Sequence, residues 1–206
     1  AKLVKGLLRA GANPNAALPG GETPLMIASR TGSLEAVNAL LERGVDPNTT
    51  ERQKQTAIMW AAAEGHAAIV QSLINSGADY NARLDSGFTP LFFAIREGKT
   101  AVVKTLLDAG LNVNDPLYHE NTAVISKLAK SGTSPLMLAM ENGHFELAVT
   151  LLESGANPND QRTGLAPLHA MTRVRKPDVS DLGDPAPQGS GDDSSLQFIR
   201  GLVSAG

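Results

Sequence analysis

A glycine that closes an apolar segment recurs at Gly11, Gly44, Gly77, Gly110, Gly155 and Gly206, at intervals of 33, 33, 33, 45 and 51 residues. An asparagine stands four residues beyond each of the first five, at Asn15, Asn48, Asn81, Asn114 and Asn159. A repeat of this period is one supersecondary unit that buries its apolar side poorly by itself, so the units must stack on one another instead of surrounding one central core. In register the full copies read GETPLMIASRTGSLEAVNALLERGVDPN from Gly21, KQTAIMWAAAEGHAAIVQSLINSGADYN from Lys54, GFTPLFFAIREGKTAVVKTLLDAGLNVN from Gly87 and GTSPLMLAMENGHFELAVTLLESGANPN from Gly132.

Each copy encodes the same local structure. Thr23, Thr56, Thr89 and Ser134 are good helix N-caps, and Pro24, Pro90 and Pro135 follow at the first helical position, where a missing N–H costs nothing. A first helix is therefore expected, burying Leu25, Ile27 and Ala28 or their counterparts Leu91, Phe93 and Ala94. Gly32, Gly65, Gly98 and Gly143 break it, and a second helix starts near Ser33 or Thr100, carries residues such as Val37, Leu40 and Leu41, and ends at a glycine such as Gly44. Small and aliphatic residues fill such thin layers without large rings, in keeping with an aromatic content of only 4%.

The period of 33, the Thr-Pro-Leu start, the glycine at mid-repeat and the closing Leu-Leu-x-x-Gly-Ala resemble the ankyrin repeat. The resemblance covers nearly the whole chain. It implies an all-α solenoid of stacked helix-turn-helix units joined by β-hairpin-type finger loops, forming one domain over 1–206. The expected parts are a partial repeat at 1–15, regular repeats at 16–48, 49–81 and 82–114, a repeat with a finger insertion at 115–159, and one with an inter-helix insertion at 160–206. Both ends fall in mid-repeat, so the chain reads as an excerpt of a longer array or protein.

The finger insertion, 115–131, could form a short helix with Val124, Ile125 and Leu128 on one face. It either packs back on the repeats or is a binding loop presenting Tyr118, His119 and Glu120. The second insertion, 173–193, is rich in Pro, Gly and Asp and is expected to be an irregular loop. Its basic start, Arg173, Arg175 and Lys176, faces an acidic continuation, which points to internal neutralisation and not to a phosphate site.

Charge and motifs exclude several classes of function. The net charge of −3 gives no nucleic-acid signature, no run of about 18 apolar residues can span a bilayer, and the absence of cysteine removes disulfides, zinc ribbons and a thiol nucleophile. His66, His144 and His169 occupy positions where the resemblance itself places histidine, with a role in bonding turn backbone. No His pair has helical metal-site spacing, so neither a metal nor a cofactor is expected. Gly98-Lys99-Thr100 lacks the upstream glycine and strand of a phosphate loop, Asp178–Asp184 does not match a calcium loop, and no nucleophile elbow is present. Asn48-Thr49-Thr50 fits a glycosylation acceptor in form alone. Compartment is not legible.

What the resemblance does imply is protein recognition, by a non-catalytic monomer, through a concave side made of finger tips and first helices. The positions that carry it over are Arg52, Gln53 and Gln55 in one finger, Asp85, Ser86 and Phe88 in the next, then Lys130 and Arg162, with Arg30, Arg96, Glu97 and Glu141 on the helices and Tyr118 from the insertion. These residues differ between copies while the scaffold repeats. Phe88 is the candidate anchor, with Arg52, Arg96 and Arg162 as paired or stacked neighbours; alternatively it packs on the adjacent finger. Trp60, between Ile58 and Ala61, is expected to pack between repeats. Two rival readings stay open: a spacer or regulatory module of a larger, possibly catalytic, protein, and a small-molecule site near the insertions.

Overall fold

The computed structural model describes residues 2–119, 130–174 and 204. Ten helices lie among them: α1 Lys2–Arg9, α2 Pro24–Arg30, α3 Leu34–Leu41, α4 Ala57–Glu64, α5 Ala67–Asn75, α6 Pro90–Arg96, α7 Thr100–Asp108, α8 Pro135–Glu141, α9 Phe145–Glu153 and α10 Pro167–Val174. The chain forms two compact units, Ala1–Leu84 with Thr89–Ala109, and Asp85–Phe88 with Gly110–Gly206.

The first unit holds the regular helix pairs. Thr23 and Thr89 cap α2 and α6, accepting from the amides of Met26 at 3.3 Å and Phe92 at 3.5 Å. Thr56 occupies the same place before α4, yet its buried hydroxyl makes no cap bond and has no partner. Each first helix packs on the next, α2 on α4 and α4 on α6, and each pairs with its own second helix. The second helices stack in parallel order, α1 on α3, α3 on α5 and α5 on α7. The core therefore runs through the stack as layers: Leu25, Met26, Val37 and Leu40, then Ile58, Met59, Ile69 and Leu73, then Phe92, Ile95, Val102 and Leu106, each at most 2% exposed. Fully burying a side chain of this size contributes about 1.5–3 kcal/mol.

The second helices end earlier than their closing glycines. Helix α3 stops at Leu41, and Gly44 lies beyond it at φ 74°, donating to the Leu41 carbonyl at 2.9 Å. The glycine therefore turns the chain after the helix instead of being its last residue. Asn48, four residues on, receives the Asp79 amide on Oδ1 at 2.7 Å and donates through Nδ2 to the Gly77 carbonyl at 3.0 Å. Those two bonds tie neighbouring repeats at the backbone, which gives the recurring Asn its structural reason.

The fingers are turns, and no strand occurs among the described residues. In the first complete finger Leu18 donates to the Glu22 carbonyl at 3.0 Å; in the next Glu51 donates to Gln55 at 3.1 Å. Arg52 N–H then reaches the Gly20 carbonyl at 3.1 Å, linking the two fingers edge to edge.

In the second unit α8 packs on α9, and α10 on α8. Ser134 caps α8 by accepting from Met137 N–H at 3.2 Å. Asn114 repeats the device of Asn48, accepting from the Asn157 amide at 2.7 Å and donating to the Gly155 carbonyl at 3.0 Å. The base of the enlarged finger is closed by Leu117, which donates to Thr133 and accepts from Gly132, both at 2.8 Å, with its side chain fully buried. The expected helix through Val124, Ile125 and Leu128, Glu120, and nearly all of the loop at 173–193 lie outside the described residues.

Candidate protein-binding face

The three first helices of the first unit place equivalent residues in rows 33 apart. One row reads Ile27, Trp60, Phe93; another reads Arg30, Ala63, Arg96; a third reads Thr31, Glu64, Glu97. Alanine between two arginines leaves a gap in the middle of the second row. The structure has a cleft there of about 230 Å³, lined by Arg30, Gln55, Met59, Trp60, Ala63, Glu64, Phe93 and Arg96.

Helical side chains lean toward the N-terminal turn, so an arginine at the end of a first helix falls on the ring row. Arg96 lies over the ring of Phe93 in its own helix, with Cζ 5.1 Å from the centroid, and its Nε donates to Glu97 Oε1 at 2.8 Å. Arg30 instead reaches the next repeat and lies 4.8 Å above the Trp60 ring. Cation–π contacts of this kind contribute roughly 0.5–1 kcal/mol at exposed sites. Trp60 is only partly buried and lines the cleft, so its ring is a wall as well as packing, while its buried indole N–H finds no partner among the described residues. That widens the role expected for it.

Behind Arg30 the turn is held by His66, whose Nε2 lies 3.1 Å from the Arg30 carbonyl. The neutral ring must carry its proton on Nε2 to donate there. This is the turn-bonding role expected of His66, and it explains Gly32: at φ 74° a Cβ on residue 32 would lie 2.7 Å from Cε1 of His66.

The finger beside the cleft is organised by a residue that the sequence reading passed over. Glu51 accepts from Gln53 N–H on one carboxylate oxygen at 2.9 Å and from Gln55 N–H on the other at 3.0 Å. The bonds are local, to amides two and four places on, but glutamate is not among the short side chains whose identity signals such a turn. Arg52 and Gln53 are held outward and exposed, and Gln55 is turned partly into the cleft. Lys54 takes φ 64° in this turn, where the other fingers have Gly21, Gly87, Gly132 and Gly164 at positive φ.

In the second unit the expected positions divide differently. Asp85, Lys130 and Glu141 are exposed, Ser86 is partly so, and Tyr118 is 59% exposed. Phe88 is corrected: it is 3% exposed and cannot serve as an accessible anchor. An apolar residue directly before an N-cap characteristically turns inward at the helix entry, and the equivalent Thr133, before Ser134, is buried too. His119 is also withdrawn from the proposed loop surface, at 8% exposed with neither ring nitrogen partnered among the described residues, its amide 3.5 Å from Ser131 Oγ.

Arg162 holds the tip position equivalent to Arg52 but is committed to the fold. Its Nε donates to both oxygens of Asp160 at 2.9 and 3.0 Å, and its terminal nitrogen to the Asn114 carbonyl at 2.9 Å. The Arg162 side-chain bonds hold the Asp160 carboxyl below its ordinary 3.8; the Arg162 amide, its charge and the Ser134 hydroxyl act in the same direction, against the opposing effect of burial. Arg162 is in turn pushed upward by Asp160.

Thus Arg30, Gln55 and Arg96 converge on one cleft, Glu97 neutralises Arg96, and Arg52 and Gln53 flank it on the same finger row. No group of three or more His, Asp or Glu side chains suited to a metal occurs among the described residues, and none of their helices is long and apolar enough to cross a membrane.

Stacked helix pairs, Thr-Pro caps and finger turns define an ankyrin-type architecture, and comparison with known proteins gives the same result. A family described as ankyrin repeats (3 copies) matches residues 1–84, 51–117 and 81–162. The chain belongs to the ankyrin repeat family. The ankyrin repeat domain of human ASB11 is similar in structure, with a TM-score of 0.73 over 98% of this chain and 77% of that one, at 23% sequence identity. That likeness is one of fold. No curated protein matches the sequence. Ankyrin repeats are generally protein–protein interaction modules and typically non-catalytic.

Proposed function

We propose that this chain is a non-catalytic module that binds a protein partner through the finger and first-helix face of its regular repeats. The observation that carries the reading is the convergence of Arg30, Gln55 and Arg96 on the cleft beside Trp60, at the positions where the repeat scaffold leaves residue choice free. The cleft walls are set by repeat stacking before any partner arrives, which limits the ordering cost of binding. Arg52 and Gln53 extend the face along the finger.

The test is affinity purification with the whole chain as bait, followed by titration of each recovered partner against Arg30→Ala, Arg52→Ala and Arg96→Ala combined. The expected result is loss of about tenfold or more in affinity, the range of interface hot spots, with thermal unfolding nearly unchanged. Unaltered affinity would remove this face from the proposal.

A further inference from the structure

The two arginines of the cleft are not equivalent. Arg96 is already paired with Glu97 at 2.8 Å, so its charge is largely spent within its own helix end. Arg30 is exposed, and its guanidinium makes no hydrogen bond or ion pair among the described residues; its recorded contact is the stack on Trp60. Stacking uses the face of the guanidinium and leaves its edge donors to solvent or to a ligand. Glu64, also in the lining, is likewise uncommitted to any described residue. Besides Gln55 and Arg96 the rest of the lining is apolar: Met59, Ala63, and the rings of Trp60 and Phe93.

We propose that this cleft receives an acidic segment of a partner polypeptide, with a carboxylate paired to Arg30 and a neighbouring aliphatic side chain laid between Trp60 and Phe93. This rests on the protein-binding reading above and names the chemistry of its partner. The guanidinium of Arg30, over the Trp60 ring, carries the planar fork of N–H donors that matches a carboxylate in a bidentate pair. The gap left by Ala63 has room for an aliphatic side chain, and the adjoining Gln55 amide can both donate to and accept from peptide backbone.

The test is selection of random peptides, each about a dozen residues long, displayed on phage against the immobilised whole chain. The expected result is enrichment of sequences with Asp or Glu within two positions of Leu, Ile, Val or Met. A synthetic copy of an enriched peptide should lose about tenfold or more in Kd on Arg30→Gln, and a comparable amount when its acid is replaced by the amide. Arg30→Lys, which keeps the charge but loses the stacked fork, should recover only part of the loss. Arg162→Gln should leave binding within about twofold, since that arginine serves the other unit. Enriched peptides without an acid, or peptides indifferent to Arg30→Gln, overturn the proposal. If binding falls with Arg52→Ala and not with Arg30→Gln, the protein-binding face stands and the acidic occupant is wrong. Failure to enrich any peptide also overturns it, while the pull-down with whole partners decides the broader reading independently.

Discussion

Arg30 and Arg162 are both exposed arginines near the finger and first-helix side of their own units, and they do opposite things. In the first unit Arg30 rests on a ring and keeps its hydrogen-bonding edge free. In the second, Arg162 folds back on a nearly buried Asp160 and on the Asn114 carbonyl, so its charge holds the finger together. The difference lies two residues away: Asp160 precedes Arg162, whereas no carboxylate of the described residues is bonded to Arg30. An arginine beside an acid in a turn becomes part of the fold, and an arginine beside an aromatic row stays available. Exposure alone does not tell the two apart.

The same contrast applies to aromatic residues. Trp60 walls a cleft in the first unit, while Phe88, for which the sequence left open a surface anchor or a packed residue, is buried. The largest test of the contrast is therefore Phe88→Ala, which should destabilise by about 3–5 kcal/mol, the cost of truncating a buried Phe, as read by urea unfolding. A variant with wild-type stability would restore Phe88 as a surface residue. Next is Gly87→Ala. Residue 87 sits at φ 84°, and a Cβ there would run into the Tyr118 carbonyl, a backbone atom of the enlarged finger. A loss of roughly 2–3 kcal/mol is expected, combining left-handed strain with the clash.

Asp160→Asn should cost about 1–2 kcal/mol, charge-assisted bonds to a nearly buried carboxylate being discounted because Arg162 is 40% exposed. Since folding lowers the Asp160 pKa, its contribution is complete above 3.8 and is lost as pH falls through the lower folded value. The variant should accordingly show a flatter stability profile below about pH 4 than the wild type, measured by thermal unfolding across pH. Lys54→Gly works in the other direction. Lys54 stands at φ 64°, and glycine should relieve strain for a gain of roughly 0.5–1 kcal/mol; a fall in melting temperature would mean that the lysine side chain contributes more than its backbone costs. The smallest effect belongs to Arg30→Gln, expected to cost about 0.5 kcal/mol, the low end for an exposed cation–π contact. A larger loss would make Arg30 as structural as Arg162 and erase the distinction.

Much of this was legible in the residues. The caps at Thr23, Thr89 and Ser134, the paired helices and the repeating Asn follow from local chemistry repeated at a fixed interval, and repetition makes a weak local signal strong. Even the cleft has a sequence trace, because Ala63 falls between Arg30 and Arg96 at the same register. What could not be read is which neighbour each long side chain would choose. Thr56 has the identity of a cap and makes no cap bond; Glu51 looks like an ordinary finger acid and bonds two amides of its turn.

The sequence by itself determined the repeat, the helix boundaries to within a few residues, and membership of a stacked architecture, because each of these depends on contacts between residues close in the chain or one period apart. Only the tertiary structure decided that Phe88 turns inward, that Arg162 is tied down and that Arg30 is free. Those outcomes depend on the orientation of flexible side chains among several competing partners, and a one-dimensional pattern fixes the position of a residue without fixing the direction in which it points.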